Sequence, residues 1–215
     1  MNSVIKFNIY LIGERNFFSS EQEYLDKLKM CFDNGIKAFQ LRQKDLTVRQ
    51  IIHLGEKIKK IIEQYEDIYF FINDRIDISL ALGADGIHLN KNSIPIKVVR
   101  EQYGKMLIFY SSHSYEEALN AQKDGADAVT FSPIFKTKNQ EFEQGLDALA
   151  TVVKNLTIPV FALGGINEHN IQALRNAGTS YAAIQSAILK KKDTKEIIKI
   201  ISCALNSGNS GQARI

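Results

Sequence analysis

The sequence predicts an α/β protein folded as a single (β/α)8 TIM barrel, and three observations carry that prediction. Four times a glycine turn delivers a short apolar run that ends in polar residues: Gly35 before 36–42, Gly83 before 84–90, Gly125 before 126–132 and Gly178 before 179–186. Each glycine follows a stretch of helical period, where a residue with positive φ ends a helix at small steric cost. Between them lie four more apolar runs, at 10–12, 69–72, 107–110 and 159–163. Eight strands alternating with helices make a parallel sheet, and eight such units can close on themselves. The length, 215 residues, suits one domain near the lower limit for such a barrel.

The elements follow in order. Residues 22–34 set Tyr24, Leu25, Leu28, Met30 and Cys31 on one side of a helix that Asn34-Gly35 stops. Residues 47–65 repeat Ile51, Leu54, Ile58 and Ile62 behind Thr47 as N-cap. Asn73-Asp74 ends a strand, and 76–82 reads as a short helix. Pro95 stands where a first helical turn begins, ahead of Val98 and Val99. Ser114 is an N-cap, with Glu116 and Glu117 at the positive helix end. Asn167 caps a helix holding Ile171 and Leu174, and Thr194 opens the last helix. The barrel is expected over residues 1–206, with a flexible polar tail over 207–215.

Composition excludes several classes. The net charge is +3 with no run of five or six like charges, so nucleic acid is not an expected partner. Lys190-Lys191-Lys192 reads as a solvated helix start. Two cysteines far apart, Cys31 and Cys203, make no disulfide framework, and a cytoplasmic location is expected. No apolar stretch approaches about 18 residues and no basic-then-apolar leader opens the chain, so membrane spanning and secretion are not expected.

Barrels of this class place their chemistry at the C-terminal ends of the strands. Here those ends carry Gln40 to Lys44, Asn73 to Arg75, His88 to Asn90, Ser111 to His113, Ser132-Pro133, Gly164-Gly165 and Gln185-Ser186. Gly164, Gly165, Gln185 and Ser186 follow strands seven and eight, where backbone N–H groups commonly hold a phosphate and glycine admits the anion closely. The alternative is that the paired glycines relieve crowding at a turn. Arg42 and Lys44 can clamp a phosphate or carboxylate, with Asp74 as metal ligand or hydrogen-bond acceptor. The alternative is a structural ion pair across neighbouring strands. His113 offers an imidazole for proton transfer or, alternatively, a structural residue ahead of Ser114. His88 sits between Ile87 and Leu89 and reads as structural, and His53 and His169 read as solvated residues on helices.

At these residues the chain resembles the thiamine phosphate synthase and thiazole tautomerase superfamily. The matching pieces are Gln40-Leu41-Arg42-Gln43-Lys44, Ile72-Asn73-Asp74-Arg75, the run 83–89, the run 112–118, the run 132–137, Gly145-Leu146 and 162–166. They stand in the expected order over roughly residues 8 to 190. The resemblance implies a (β/α)8 barrel acting in thiamine biosynthesis, with two branches to separate.

The synthase branch joins a pyrimidine diphosphate to a thiazole phosphate and expels diphosphate. Its pattern holds Mg2+ with two Asp residues. Asp74 fills the first position, and Ser93 stands at the second. The lysine of its loop after strand six falls on Gln140. Losing a carboxylate from the metal and a cation from the clamp weakens stabilisation of the leaving group. The tautomerase branch is similar to this chain at these departures and needs no metal, since it aromatises a thiazole carboxylate phosphate by moving a proton. That reading gives His113 the proton, worth about 10²–10⁴-fold for such groups. It gives the phosphate to Gly164, Gly165, Gln185 and Ser186, and substrate contacts to Gln40, Arg42, Lys44, Asn73, Ser132 and Thr137. Arg42, Lys44, Asn73 and Asp74 look synthase-like.

The expectation is therefore a metal-independent thiazole tautomerase without cofactor. The alternative is a thiamine phosphate synthase using Mg2+ at Asp74, and a third reading is a non-catalytic binder of thiazole or thiamine phosphate. The expected partner is a small thiazole phosphate. A homodimer is compatible with such a chain, but no interface is readable in it.

Overall fold

The computed structural model describes residues 5–137 and 142–207. Its eight strands are β1 (Ile9–Ile12), β2 (Ala38–Leu41), β3 (Tyr69–Asn73), β4 (Gly86–Leu89), β5 (Leu107–Ser112), β6 (Ala128–Phe131), β7 (Val160–Leu163) and β8 (Ala182–Ile184). They pair in parallel in chain order, and β8 returns to β1 with Ala183 opposite Tyr10, which closes the ring. The helices outside it are α1 (Glu21–Asp33), α2 (Val48–Ile62), α3 (Ile76–Leu82), α4 (Ile96–Gln102), α5 (Tyr115–Lys123), α6 (Gly145–Asn155), α7 (Ala173–Asn176), α8 (Ser186–Leu189) and α9 (Thr194–Asn206). This is the (β/α)8 barrel that the alternation predicts.

The four turn glycines, Gly35, Gly83, Gly125 and Gly178, have φ of +94°, +57°, +101° and +87°. Each follows a helix (α1, α3, α5, α7), and only a residue without Cβ takes that conformation freely. Thr47 opens α2 with a full capping box against Gln50, and Ser114 accepts from the Glu117 N–H at the start of α5. The twice-repeated Gly-Ala-Asp has a structural reason. Asp85 and Asp127 each accept a backbone N–H at 2.7 Å, from Phe70 of β3 and from Ile108 of β5. Arg100 also holds Asp127 at 2.6 Å and the Gly125 carbonyl at 2.7 Å. In the copy at Gly178 no aspartate follows; Thr179, at the alanine position, donates its Oγ1 hydrogen to Val160 O at 2.8 Å.

Several expectations are corrected. Asn167 does not cap a helix holding Ile171 and Leu174. It accepts from the His169 N–H at 2.9 Å and heads a run of turns, so α7 starts only at Ala173. His169 accordingly lies in a turn, not on a helix, while His53 is exposed on α2. Thr194 is the first residue of α9, as expected, and Asp193 before it is the N-cap, accepting from Glu196 N. Pro95 is the N-cap residue of α4 rather than its first turn. Lys190 to Lys192 do not start a helix. They follow α8, with Lys190 over the Phe17 ring and Lys191 bonded to Glu168 at 2.6 Å. Gly145–Asn155 is helical although no cap signal announces it, since Gln144 makes no side-chain cap bond. The expected tail, beyond Ser207, lies outside the described residues.

Strand side chains alternate in and out, and alternate strands fill successive layers of a barrel. The odd strands contribute Tyr10, Phe71, Phe109 and Phe161, with Phe7 stacked beneath and ring centroids of 4.8 Å for Tyr10–Phe109 and 4.9 Å for Phe71–Phe109. Above this aromatic layer the even strands supply Gln40, His88, Thr130 and Ala183. The next inward positions of the odd strands are Ile12, Asn73, Ser111 and Leu163, at the mouth. The interior thus turns from aromatic to polar just below the C-terminal end. Among the described residues no helix is long and apolar enough to cross a membrane. Cys31 is buried and Cys203 exposed, both free.

Candidate active site

The C-terminal ends of the strands surround a cavity of about 760 Å3. Its floor includes Gln40 and His88 of the polar layer just described. Gln40, Arg42, Lys44, Asn73, Asp74, His113, Ser132, Gly164 and Gln185 all line it. Gly165, Ser186 and Thr137 do not, so three of the expected contacts stand outside the cavity wall.

The local folding explains each placement. Arg42 and Lys44 leave the end of β2, and neither forms an ion pair with a carboxylate among the described residues. The structural ion pair considered as their alternative role is therefore not formed, and both charges face the mouth. Asp74 ends β3 with φ of +65°, its N–H bonded to His88 O at 2.9 Å. Its carboxylate accepts from the Ser93 hydroxyl, and Ser93 Oγ in turn accepts from Asn90 N at 2.8 Å. Arg75 also lines the cavity, but its charge is paired with Asp77.

His113 follows β5. Its Nδ1 is 2.9 Å from the Ser132 carbonyl and 3.3 Å from Ser132 Oγ; the nearer partner can only accept, which favours a proton on Nδ1. In the neutral ring Nε2 then keeps a lone pair. Glu117 Oε2 accepts from the His113 N–H at 2.7 Å, and Gln144 donates to its carbonyl at 2.8 Å, which fixes the residue at both ends.

His88 is buried and belongs to the floor. Burial, with the positive charge of Arg42 added, pushes its pKa down to about 3, so the imidazole is uncharged. Nδ1 lies 3.2 Å from the Tyr10 hydroxyl and Nε2 lies 2.9 Å from Ser111 Oγ. Burial likewise raises the Tyr10 phenol well above its usual value, so it keeps its proton. Gln40 Nε2 donates to the same oxygen at 3.1 Å.

Gly164 and Gly165 have φ of +101° and +68°, and a Cβ on either would stand 2.8 Å from Pro133 Cα or Phe135 Cβ. The loop after β6 packs directly on them, so crowding at this turn is real. Asn170 donates to the Gly165 carbonyl at 2.9 Å and steadies the turn. Gln140, the other departure from the synthase pattern, lies outside the described residues.

The sequence reading gave no site role to Tyr10, and it named Asn90 and Ser111 only as strand ends and Ser93 only as a missing carboxylate. Period-two alternation would have found Tyr10 and Ser111, because both share the inward parity of Ile12 and Phe109 on their strands. Asn90 and Ser93 sit in the loop after β4, where no period applies.

Among the described residues no three His, Cys, Asp or Glu side chains gather as a metal-binding cluster. The oxygens at hand are one carboxylate, Asp74, with Ser93 Oγ beside it. Such a hard, sparse donor set suits Mg2+, which commonly takes one or two carboxylates and completes its shell with water and substrate phosphate.

Fold and mouth together define a (β/α)8 barrel with a polar cavity, bearing the cations Arg42 and Lys44, at its C-terminal face. Comparison with known proteins agrees in detail. The thiamine monophosphate synthase profile matches residues 9–188. The thiamine-phosphate synthase of Pyrococcus abyssi is 34% identical over 202 residues, covering 91% of this chain and 95% of the relative. The putative thiamine-phosphate synthase of Geobacter sulfurreducens is 37% identical over 196 residues, with 89% and 91% covered. The solved thiamine phosphate pyrophosphorylase of Pyrococcus furiosus superposes with a TM-score of 0.83 at 30% identity, over 93% of this chain and 96% of that one. The chain belongs to the thiamine monophosphate synthase family, and so among the enzymes of thiamine biosynthesis. The expected tautomerase branch is not supported: these relatives carry the synthase name, and the order of the two readings reverses.

Proposed function

We propose that the chain is a thiamine phosphate synthase, a transferase that couples hydroxymethylpyrimidine diphosphate to thiazole phosphate and releases diphosphate. The observation that carries this reading is the presence in one cavity of two cations, Arg42 and Lys44, that form no ion pair among the described residues, together with the carboxylate of Asp74. That combination suits a diphosphate together with a divalent cation. A thiazole carboxylate phosphate would leave Asp74 facing an anion.

The carbon–oxygen bond to diphosphate breaks with its electron pair leaving on oxygen, and the thiazole nitrogen lone pair forms the new carbon–nitrogen bond. No proton need move. Arg42 and Lys44 would hold the leaving diphosphate, and Asn73 and Gln40 would orient the pyrimidine. Gly164 and Gln185 would seat the thiazole phosphate, with Gly165 and Ser186 shaping the turn behind them. Thr137 would act through the loop after β6. Mg2+ held by Asp74, with Ser93 beside it, would offset the charge on the departing group. His113 and Ser132 would form one wall, with Nε2 of His113 as a hydrogen-bond acceptor. Thiazole phosphate remains a proposed ligand, and cytoplasmic location a proposed setting.

The test supplies both substrates and follows thiamine phosphate and diphosphate with Mg2+ and with excess chelator. Coupling that the chelator abolishes supports the reading. Chelator-insensitive isomerisation of the thiazole, without coupling, overturns it.

A further inference from the structure

We propose that Gln40, Tyr10, His88 and Ser111 form a directed hydrogen-bond chain along the barrel axis. It fixes His88 as its Nε2–H tautomer and turns the Ser111 hydroxyl hydrogen into the mouth. His88 is thereby a positioning residue, acting through Ser111 on an anionic oxygen bound there.

The chain crosses three layers. Gln40 and His88 belong to the polar layer, Tyr10 to the aromatic layer beneath, and Ser111 to the ring of residues at the mouth. Gln40 Nε2 donates to Tyr10 Oη at 3.1 Å, so that oxygen uses a lone pair there. The phenol has one hydrogen, and it is fully buried among Phe71, Phe109 and Phe161. The acceptor within reach is His88 Nδ1, at 3.2 Å. A buried hydroxyl hydrogen left without an acceptor costs about 1–3 kcal/mol, which selects this direction. Nδ1 then holds a lone pair, and the single hydrogen of the uncharged ring sits on Nε2. At 2.9 Å it is donated to Ser111 Oγ. With one lone pair so occupied, the Ser111 hydroxyl hydrogen is left for the cavity. The mouth thus gains a directed donor beside the charges of Arg42 and Lys44, as an anion requires.

The opposite polarity would follow from a reversed Gln40 amide. Tyr10 would then donate to Gln40, His88 Nδ1 to Tyr10, and Ser111 to His88 Nε2. The mouth would receive only a serine lone pair, which repels an anion.

Two measurements decide. In protein with 15N-labelled histidine, two-bond 1H–15N spectra report the tautomer, and His88→Gln identifies the resonances among the four histidines. A pyrrole-type Nε2 and pyridine-type Nδ1 are expected. A pyrrole-type Nδ1 overturns the proposal, and this readout needs no ligand or turnover. The second measurement is binding of inorganic diphosphate with Mg2+ by calorimetry, and this arm rests on the synthase reading. Ser111→Ala and Tyr10→Phe are each expected to weaken binding about tenfold, in the range for a hydrogen bond to a charged group. The double variant is expected to bind no more weakly than Ser111→Ala alone, because both act through one hydroxyl. Additive losses, or full affinity in Tyr10→Phe, overturn the relay. Absence of diphosphate binding in the unsubstituted protein overturns the ligand assigned to Ser111. Absence of coupling with both other results intact would strike the synthase reading alone.

Discussion

His113 separates the two chemistries of this superfamily at a single atom. Coupling moves no proton, whereas aromatisation of a thiazole needs a base at the substrate carbon. His113→Asn is therefore expected to lower kcat/KM for coupling by about tenfold or less. A base catalyst would lose about 10²–10⁴-fold, and steady-state kinetics with both substrates tells the two apart. Ser93 offers a second test. Its hydroxyl now donates to Asp74, and in Ser93→Asp two carboxylates would meet there. Without metal the variant is expected to lose about 1–3 kcal/mol of stability through like-charge repulsion. Mg2+ should restore its melting temperature and bind about tenfold more tightly than in the parent, read by thermal shift and calorimetry. A variant indifferent to Mg2+ would remove Asp74 from the metal site.

At the scale of the element, the twice-used Gly-Ala-Asp shows how a short motif can serve the backbone. Asp127 holds the Ile108 N–H of β5 and also Arg100, whereas the Asp85 carboxylate holds the Phe70 N–H of β3 alone. Asp127→Ala is expected to cost about 2–4 kcal/mol, since it strands a half-buried guanidinium as well as an amide. Asp85→Ala should cost about 1–3 kcal/mol, and urea titrations of the two variants would rank them. Equal losses would deny Arg100 its part. The sequence displayed these units because glycine, apolar run and polar end recur at each. Thr47 and Ser114 were equally plain, as side-chain caps with partners three residues on. Elements without such chemistry were not. The α6 helix begins at Gly145 behind an uncapped Gln144, and Asn167 bonds to an adjacent turn rather than a helix. The site divides the same way. Arg42, Asp74 and His113 are visible at strand ends, but the Ser93–Asp74 bond joins residues 19 positions apart, and that separation leaves no mark in local pattern.

For the whole molecule, the buried His88 ties stability to pH. Its folded pKa is about 3, against about 6.5 in the unfolded chain. Between those values the unfolded state binds a proton that the folded state does not. The contribution is complete above about pH 6.5 and drains away as the solution is acidified toward about pH 3. It adds a slope approaching about 1.4 kcal/mol per pH unit in that window. Urea midpoints taken from neutral to mildly acid solution should show this slope, and His88→Gln should flatten it. An unchanged slope in the variant would place the acid sensitivity elsewhere.

The seam between β1 and β8 carries a last consequence. The first strand borders the last, so Ile9 to Leu11 keep an open edge until Ala182 to Ile184 arrive. On a ribosome that vacancy persists while nearly the whole polypeptide is being made. An unpaired margin of this kind invites foreign partners, so nascent chains cut short before Ala182 should be the ones that chaperones retain.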